Sequence, residues 1–216
     1  MITGELKKRI TTSIILIAIV LNCLFIHNLT WLFLLSIVSL ICLFEFSSLC
    51  KKIWKNKITA YSLIFLSLLF LFIFIYTTYR SKIDHGEDFI LFVLLTCIFS
   101  DIGGYIIGKS IGGKKLTKIS PNKTISGSIG SFLFSLFPIG IWIILEKGYA
   151  DKNTILFCLI ISLVCQSGDL IISYFKRLAK VKDTGKFLPG HGGMLDRIDG
   201  IIFALPTAVL IGSQLV

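Results

Sequence analysis

The sequence is short of charge. Of its 216 residues only 16% are Asp, Glu, Lys or Arg, against 55% hydrophobic, where a soluble domain carries about 25% charged residues. With a mean hydropathy of +0.87, that deficit argues against an ordinary soluble core and for a chain that crosses a bilayer repeatedly. Acidic residues are the scarcer sign: 12 Asp and Glu against 22 Lys and Arg, a net charge of +10. There is no C-x-x-C pair. The six cysteines are scattered and mostly lie inside apolar runs, so neither a disulfide framework nor a zinc site is expected. Nor is there a G-x-x-x-x-G-K-[ST] loop or a G-x-G-x-x-G after a strand, so the common soluble nucleotide-binding modules are excluded. No small-residue cleavage site follows the first apolar run. MITGELKKRI and the run behind it therefore read as a retained first span rather than a signal peptide.

What is present is a series of apolar runs. A bilayer core of about 30 Å takes roughly 20 apolar residues as a helix. Segments 10–27, 29–49, 58–79, 88–108, 125–145, 153–176 and 200–216 meet or approach that length. The expected fold is an all-α polytopic integral membrane protein of about seven transmembrane helices, its first two spans joined by a tight turn from His27 to Thr30. The whole of 1–216 reads as one membrane-embedded catalytic domain, with N-terminal spans over 10–79 and a catalytic part over 88–216. Placing the N-terminus in the cytoplasm leaves only Arg80, Lys82, Lys147 and Lys152 outside. Every other Lys and Arg then lies inside, as the positive-inside rule requires.

Two inside segments, 109–124 and 177–199, are too long and too rich in Gly and Pro punctuation for plain connectors. They put the polar chemistry on the cytoplasmic side. Asp169, in CQSGDLIISYFKR, shares a helix face with Ser173 and Lys176, with Arg177 beside them. A carboxylate at membrane depth faces a cavity, a partner or an ion, and this polar stripe suits a site wall better than lipid. Asp196 and Asp199 are three apart at the start of the last run, where Arg197 lies between them. With Asp169 they offer the oxygen donors that Mg²⁺ prefers. His191, in PGHGG, sits in a turn whose Gly192 and Gly193 leave backbone N–H groups free for phosphate oxygens. Lys182 and Asp183 belong to the same cationic loop. Upstream, Asp101 opens DIGGYIIGKSIGGKKL, whose glycines suit close helix packing or backbone approach to a ligand. SPNKT then supplies a turn that presents Lys123 and Thr124. Glu45 is a third acid inside an apolar run, read either as an inter-helix hydrogen bond or as part of a polar pathway.

The segment SYFKRLAKVKDTGKFLPGHGGMLDRID resembles the signature of the phosphatidate cytidylyltransferases, S-x-x-K-R, K-D, then H-G-G-x-x-D-R-x-D. It matches at Ser173, Lys176, Arg177, Lys182, Asp183, Gly185, Pro189, His191, Gly192, Gly193, Asp196, Arg197 and Asp199 without a gap. Gly168-Asp169, the stretch from Asp101 through SPNKT to Gly127, and FEFSSL around Glu45 are similar to further elements of that family. Where the family often has T-W-E-G, this chain reads Thr124-Ile125-Ser126-Gly127.

The resemblance implies CTP plus phosphatidic acid giving CDP-diacylglycerol and pyrophosphate. It implies Mg²⁺, with a second cation left open, and Asp169 and Asp196 as metal ligands. It also implies a homodimer in a bacterial inner (plasma) membrane whose site faces the cytoplasm, and no nucleic-acid partner. In that reading Asp169, Ser173, Lys176, Arg177, Asp196 and Arg197 form the catalytic set. Asp101, Lys123, Lys182, Asp183, His191, Gly192, Gly193 and Asp199 bind substrate. A lipid or polyprenol kinase is the alternative, and a transporter the weaker one.

Overall fold

The computed structural model describes residues 4–145, 150–188, 190 and 192–215. Among them the regular structure is helical throughout: α1 (Gly4–Ile26), α2 (Asn28–Ile53), α3 (Lys57–Ile111), α4 (Ile125–Phe134), α5 (Phe137–Ile144), α6 (Lys152–Leu178), α7 (Leu195–Ile198) and α8 (Ile201–Leu215). Five stretches, Arg9–Ile26, Asn28–Ile53, Lys57–Ile111, Ile125–Ile144 and Lys152–Leu178, are long and apolar enough to cross a membrane. Large side chains such as Phe33, Phe44, Phe65 and Phe72 stand exposed on them, as lipid-facing residues do.

The expected hairpin between the first two spans is present. His27 Nδ1 accepts from the Leu29 N–H at 3.1 Å, and Thr30 Oγ1 donates to the Cys23 and His27 carbonyls. The third and fourth expected spans adjoin: α3 continues through the charged residues 80–85 and breaks only at Gly86 (φ 83°, ψ 174°), a conformation open to glycine. The polar run that suggested a loop is helical here, and Arg80 and Asp84 form an i, i+4 pair at 3.2 Å. The fifth expected span is interrupted between α4 and α5. Pro138, in the first turn of α5, cannot donate to Phe134 and its ring would clash there, so a continuous helix is disfavoured. The last apolar run is a helix of 15 residues containing Pro206, short of the roughly 20 that a full crossing takes.

The chain divides into two compact units, residues 1–87 with 175–198, and 88–174 with 199–216. In the first, α2 buries a continuous stripe, Trp31, Leu35, Ser39, Cys42, Glu45 and Leu49, spaced three or four apart as one helix face demands. Phe175 packs on Phe46 edge to face, with centroids 5.0 Å apart, and on Trp54 at 6.2 Å. In the second unit Phe157 is fully buried against Phe89 and Phe92. There α3 and α4 approach glycine to glycine. A Cβ on Gly127 would lie 2.9 Å from the Gly104 carbonyl oxygen, and Gly130 and Gly103 face each other in the same way. The glycines after Asp101 therefore serve helix packing.

Candidate functional site

In the first unit the polar residues are organised by the loop from Val181 to Met194, between α6 and α7. Gly192 adopts φ 88° and Gly190 φ 76°, and Leu188 and Gly192 exchange backbone hydrogen bonds of 2.9 and 3.2 Å, closing a tight turn. His191 and Pro189 lie outside the described residues. The loop then folds back onto two carboxylates.

Asp196, in the first turn of α7, accepts through Oδ1 from Lys176 Nζ at 2.7 Å. Its Oδ2 accepts from the Thr184 N–H at 2.7 Å, from Thr184 Oγ1 at 3.0 Å and from the Gly193 N–H at 3.1 Å. Burial pushes this carboxyl up, but the bonds from Lys176 and Thr184 outweigh it and hold the group below the ordinary carboxylate value.

Glu45 is the second carboxylate, buried on α2. Its Oε1 accepts from the Met194 N–H at 3.0 Å, and its Oε2 from Thr184 Oγ1 at 2.8 Å and the Leu195 N–H at 2.9 Å. The two N–H groups belong to the entry of α7, where a helix leaves its donors unsatisfied. Thr184 Oγ1 has one hydrogen and lies between both acids. Gly193 and Gly185 pack directly on them: a Cβ on Gly193 would collide with Thr184 Oγ1 and Glu45 Oε2, and one on Gly185 with Glu45 Oε1. These glycines are required for backbone approach. Lys182, Asp183, Arg177 and Arg197 are exposed around this core, with the Asp183 side chain against Gly192.

The second unit holds a separate set. Asp169, on α6, accepts from Ser173 Oγ at 3.2 Å through Oδ1, on the helix face that their i, i+4 spacing shares. Its Oδ2 is paired with Lys123. Asp101, on α3 beyond Gly86, lies within electrostatic range of both. Lys123 is delivered by the 112–124 segment, which bridges back on itself between Lys115 and Thr124. Gly112 and Gly113 turn it with φ 64° and 105°, and Thr124 Oγ1 caps α4 by accepting from the Gly127 N–H at 3.0 Å. Asp199 follows α7 in a turn, where its carboxylate accepts from the Gly200 N–H at 2.9 Å; it is not in the first turn of the last helix as its spacing suggested.

Sequence reasoning left out a part-buried polar chain in this unit. Ser128 Oγ donates to Gln166 Oε1 at 2.6 Å, Gln166 Nε2 to Ser162 Oγ at 3.2 Å, and Ser162 shares a 2.8 Å bond with Ser100. It ties α4, α6 and α3 together. Serines in apolar runs give no signal alone; Gln166, three residues before Asp169, was the visible one.

The donors suit a hard cation. Asp169 and Asp196 each hold an ammonium group now, Lys123 and Lys176 respectively, so each presents carboxylate oxygens of the kind a hard cation takes. Among the described residues no three His, Cys, Asp or Glu gather into one cluster. A hard cation held by either carboxylate would need water or phosphate oxygens to complete its shell.

Comparison with known proteins agrees with this chemistry. Residues 50–214 match the model of the cytidylyltransferase family. The chain is similar to a phosphatidate cytidylyltransferase of Staphylococcus saprophyticus, 42% identical over 137 residues, which are 62% of this chain and 51% of that protein. It is also similar to those of Staphylococcus haemolyticus, 43% over 130 residues (59% and 50%), and of Staphylococcus aureus strain COL, 43% over 147 residues (62% and 51%). The chain spans about half the length of these curated relatives. With the matched region running from the end of α2 into α8 and containing nearly every polar residue described above, the chain belongs to the cytidylyltransferase family.

Proposed function

We propose that this protein transfers the cytidylyl group of CTP to phosphatidic acid, releasing pyrophosphate and leaving CDP-diacylglycerol in the bilayer. The observation that carries the reading is the pair of lysine-held carboxylates, Lys123–Asp169 and Lys176–Asp196, within the region matched to the family. The nucleophile is a phosphate monoester, already ionised at neutral pH, so no activating triad is needed. Its oxygen attacks the α-phosphorus of CTP, a P–O bond forms, and the bond to the β-phosphate oxygen breaks with pyrophosphate as leaving group.

The difficulty is electrostatic, because two polyanions must meet. Asp169 and Asp196 are each proposed as a ligand of Mg²⁺, which when bound neutralises phosphate oxygens. Lys123 and Lys176 are placed to exchange a carboxylate for a phosphate partner. The exposed Arg177 and Arg197 suit bidentate phosphate contacts, and Lys182 adds charge. Gly192 and Gly193 allow the nucleotide close approach to the backbone, and His191 is assigned a hydrogen bond to phosphate with no proton transfer. Glu45, through Thr184, Met194 and Leu195, holds this loop. We further assign the site to the cytoplasmic face of a bacterial inner membrane, in a homodimer, on the basis of the basic-residue bias and the family resemblance.

The test is detergent-solubilised protein with radiolabelled CTP, with or without phosphatidic acid, and with Mg²⁺ or EDTA. Labelled CDP-diacylglycerol that requires both lipid and metal is the expected result. Labelled product from a polyprenol and a γ-labelled nucleotide, with none from phosphatidic acid, overturns it in favour of a kinase.

A further inference from the structure

The second unit contains polar bonds to which the proposed reaction assigns no task. Ser128 Oγ on α4 donates to Gln166 Oε1 on α6 at 2.6 Å, Gln166 Nε2 donates to Ser162 Oγ at 3.2 Å, and Ser162 shares a 2.8 Å bond with Ser100 on α3. Ser100 and Ser162 are fully buried, while Ser128 and Gln166 are half-buried. Between apolar helices such bonds add a direction that close packing alone does not supply.

Each helix in this relay carries a charged residue of the site close by in the chain. Ser100 adjoins Asp101 on α3, Gln166 stands three residues before Asp169 on α6, and Ser128 follows Lys123 by five. Lys123 and Asp169 are paired, and Asp101 lies within electrostatic range of both. The start of α4 is therefore fastened to α6 at two polar points, Lys123–Asp169 and Ser128–Gln166.

Lys123 is built into the same hydrogen-bonded piece as α4. Its carbonyl accepts from the Leu116 N–H at 2.8 Å, and its N–H donates to the Ser120 carbonyl at 3.1 Å. Thr124 beside it caps α4 and shares a 3.0 Å bond with Ser126, whose hydroxyl also donates to the Gly112 carbonyl. The Ser128 N–H donates to the Thr124 carbonyl at 3.0 Å, which links Lys123 to Ser128 through one helical turn. The lysine side chain is a flexible four-carbon stem, so its ion pair alone does not fix where α4 stands. The facing glycines of α3 and α4 allow close approach but carry no side chain to stop α4 sliding. The bond from Ser128 to Gln166 supplies that stop.

We propose that Gln166 is a positioning residue: through Ser128 it holds the start of α4, and with it Lys123, against Asp169. Its amide is committed on both sides, Oε1 to α4 and Nε2 to Ser162, and Ser162 carries the tie to α3 one residue from Asp101. The position needs a side chain that accepts and donates at that reach, as an amide does. The task of the Lys123–Asp169 pair rests on the cytidylyl-transfer reading; what holds the pair rests on these bonds alone.

The test uses the full chain in neutral detergent micelles and reads acetylation of Lys123 by acetic anhydride, followed by mass spectrometry. Exposed Lys152, at the start of α6, is the internal reference, and Asp169→Asn gives the rate of a Lys123 without its partner. Gln166→Met and Ser128→Ala should each raise the Lys123 rate at least threefold, toward the Asp169→Asn value, with Lys152 unchanged. Ser128→Thr keeps the hydroxyl and should stay near wild type. Methionine matches glutamine in reach, and the freed serines can donate to carbonyls one turn back, so Gln166→Met should fold; Ser128→Ala, at a half-buried position, gives the answer if it does not. In the cytidylyl-transfer assay Gln166→Met and Ser128→Ala should lose at least tenfold in kcat/KM for CTP, and Ser128→Thr should be spared. An unchanged Lys123 rate in the folded variants overturns the proposal, whatever their melting temperatures, and leaves a relay that only packs helices. A raised rate with wild-type kcat/KM also overturns it. A wild type that transfers no cytidylyl group sinks the proposed function instead, while the labelling still decides whether Gln166 holds Lys123.

Discussion

Glu45 and Thr184 are 139 residues apart in the chain and meet at 2.8 Å, Oε2 to Oγ1. The contact fixes the loop before α7 to the inside of α2, and Thr184 in turn reaches Asp196 with both its hydroxyl and its N–H. Asp196 is thus held in place by a residue from an early apolar helix.

Glu45→Ala should cost at least a hundredfold in kcat. The substitution strands the Met194 and Leu195 N–H groups, at about 1–3 kcal/mol for each unsatisfied donor. Glu45→Gln keeps one acceptor and should retain more activity than alanine. Steady-state assays on both variants, with protein fold checked by circular dichroism, measure the order. Alanine equal to wild type would remove the positioning role.

Lys176 and Asp196 form a buried pair, 13% and 6% exposed at the side chains. Removing one partner of such a pair costs about 3–5 kcal/mol, because the other is left charged and buried. Lys176→Met and Asp196→Asn should each destabilise the protein in denaturant titrations, and the double variant by less than the sum. Additive losses would mean the two do not interact.

Acid should release the same loop. The Asp196 pKa is lowered from the usual 3.8, so its contribution is fully present above that value and is lost as pH falls through the depressed value. Emission of Trp54, which packs on Phe175, should hold steady from pH 7 to about 4 and change only below. In Asp196→Asn the acid transition should be smaller. An unaltered transition in that variant would assign it to other groups.

Gly127→Val should separate α3 from α4, since even a Cβ would stand 2.9 Å from the Gly104 oxygen. Thr124 and Lys123 precede that glycine, so the Lys123–Asp169 pair should weaken with it. The measurement is KM for CTP, expected to rise with a lower melting temperature. A variant with unchanged KM but lower stability would confine these glycines to packing.

Replacing Asp169 by Asn should abolish turnover at any Mg²⁺ concentration, while Asp183→Ala, on an exposed residue, should be milder. Near-normal activity of Asp169→Asn at saturating Mg²⁺ would remove the metal assignment.

The sequence by itself determined the elements. Apolar runs of membrane length set the helices, because backbone groups in lipid must bond within their own segment; four of the five long stretches coincide with single expected spans, and Lys57–Ile111 runs through two. The spacing of Asp169 and Ser173 put them on one helix face, since four residues is about one helical turn, and the structure joins them by a hydrogen bond. Local spacing also misled: Arg80–Glu87 looked like a loop, yet only Gly86 departs from helix, and Asp199 fell in a turn. Tertiary structure alone decided the partners. Nothing within hydrogen-bonding reach along the chain says that Glu45 takes the N–H groups opening α7 or that Lys123 finds Asp169. Those contacts arise because buried charges and helix-end donors must be paired with whatever the packed helices bring near.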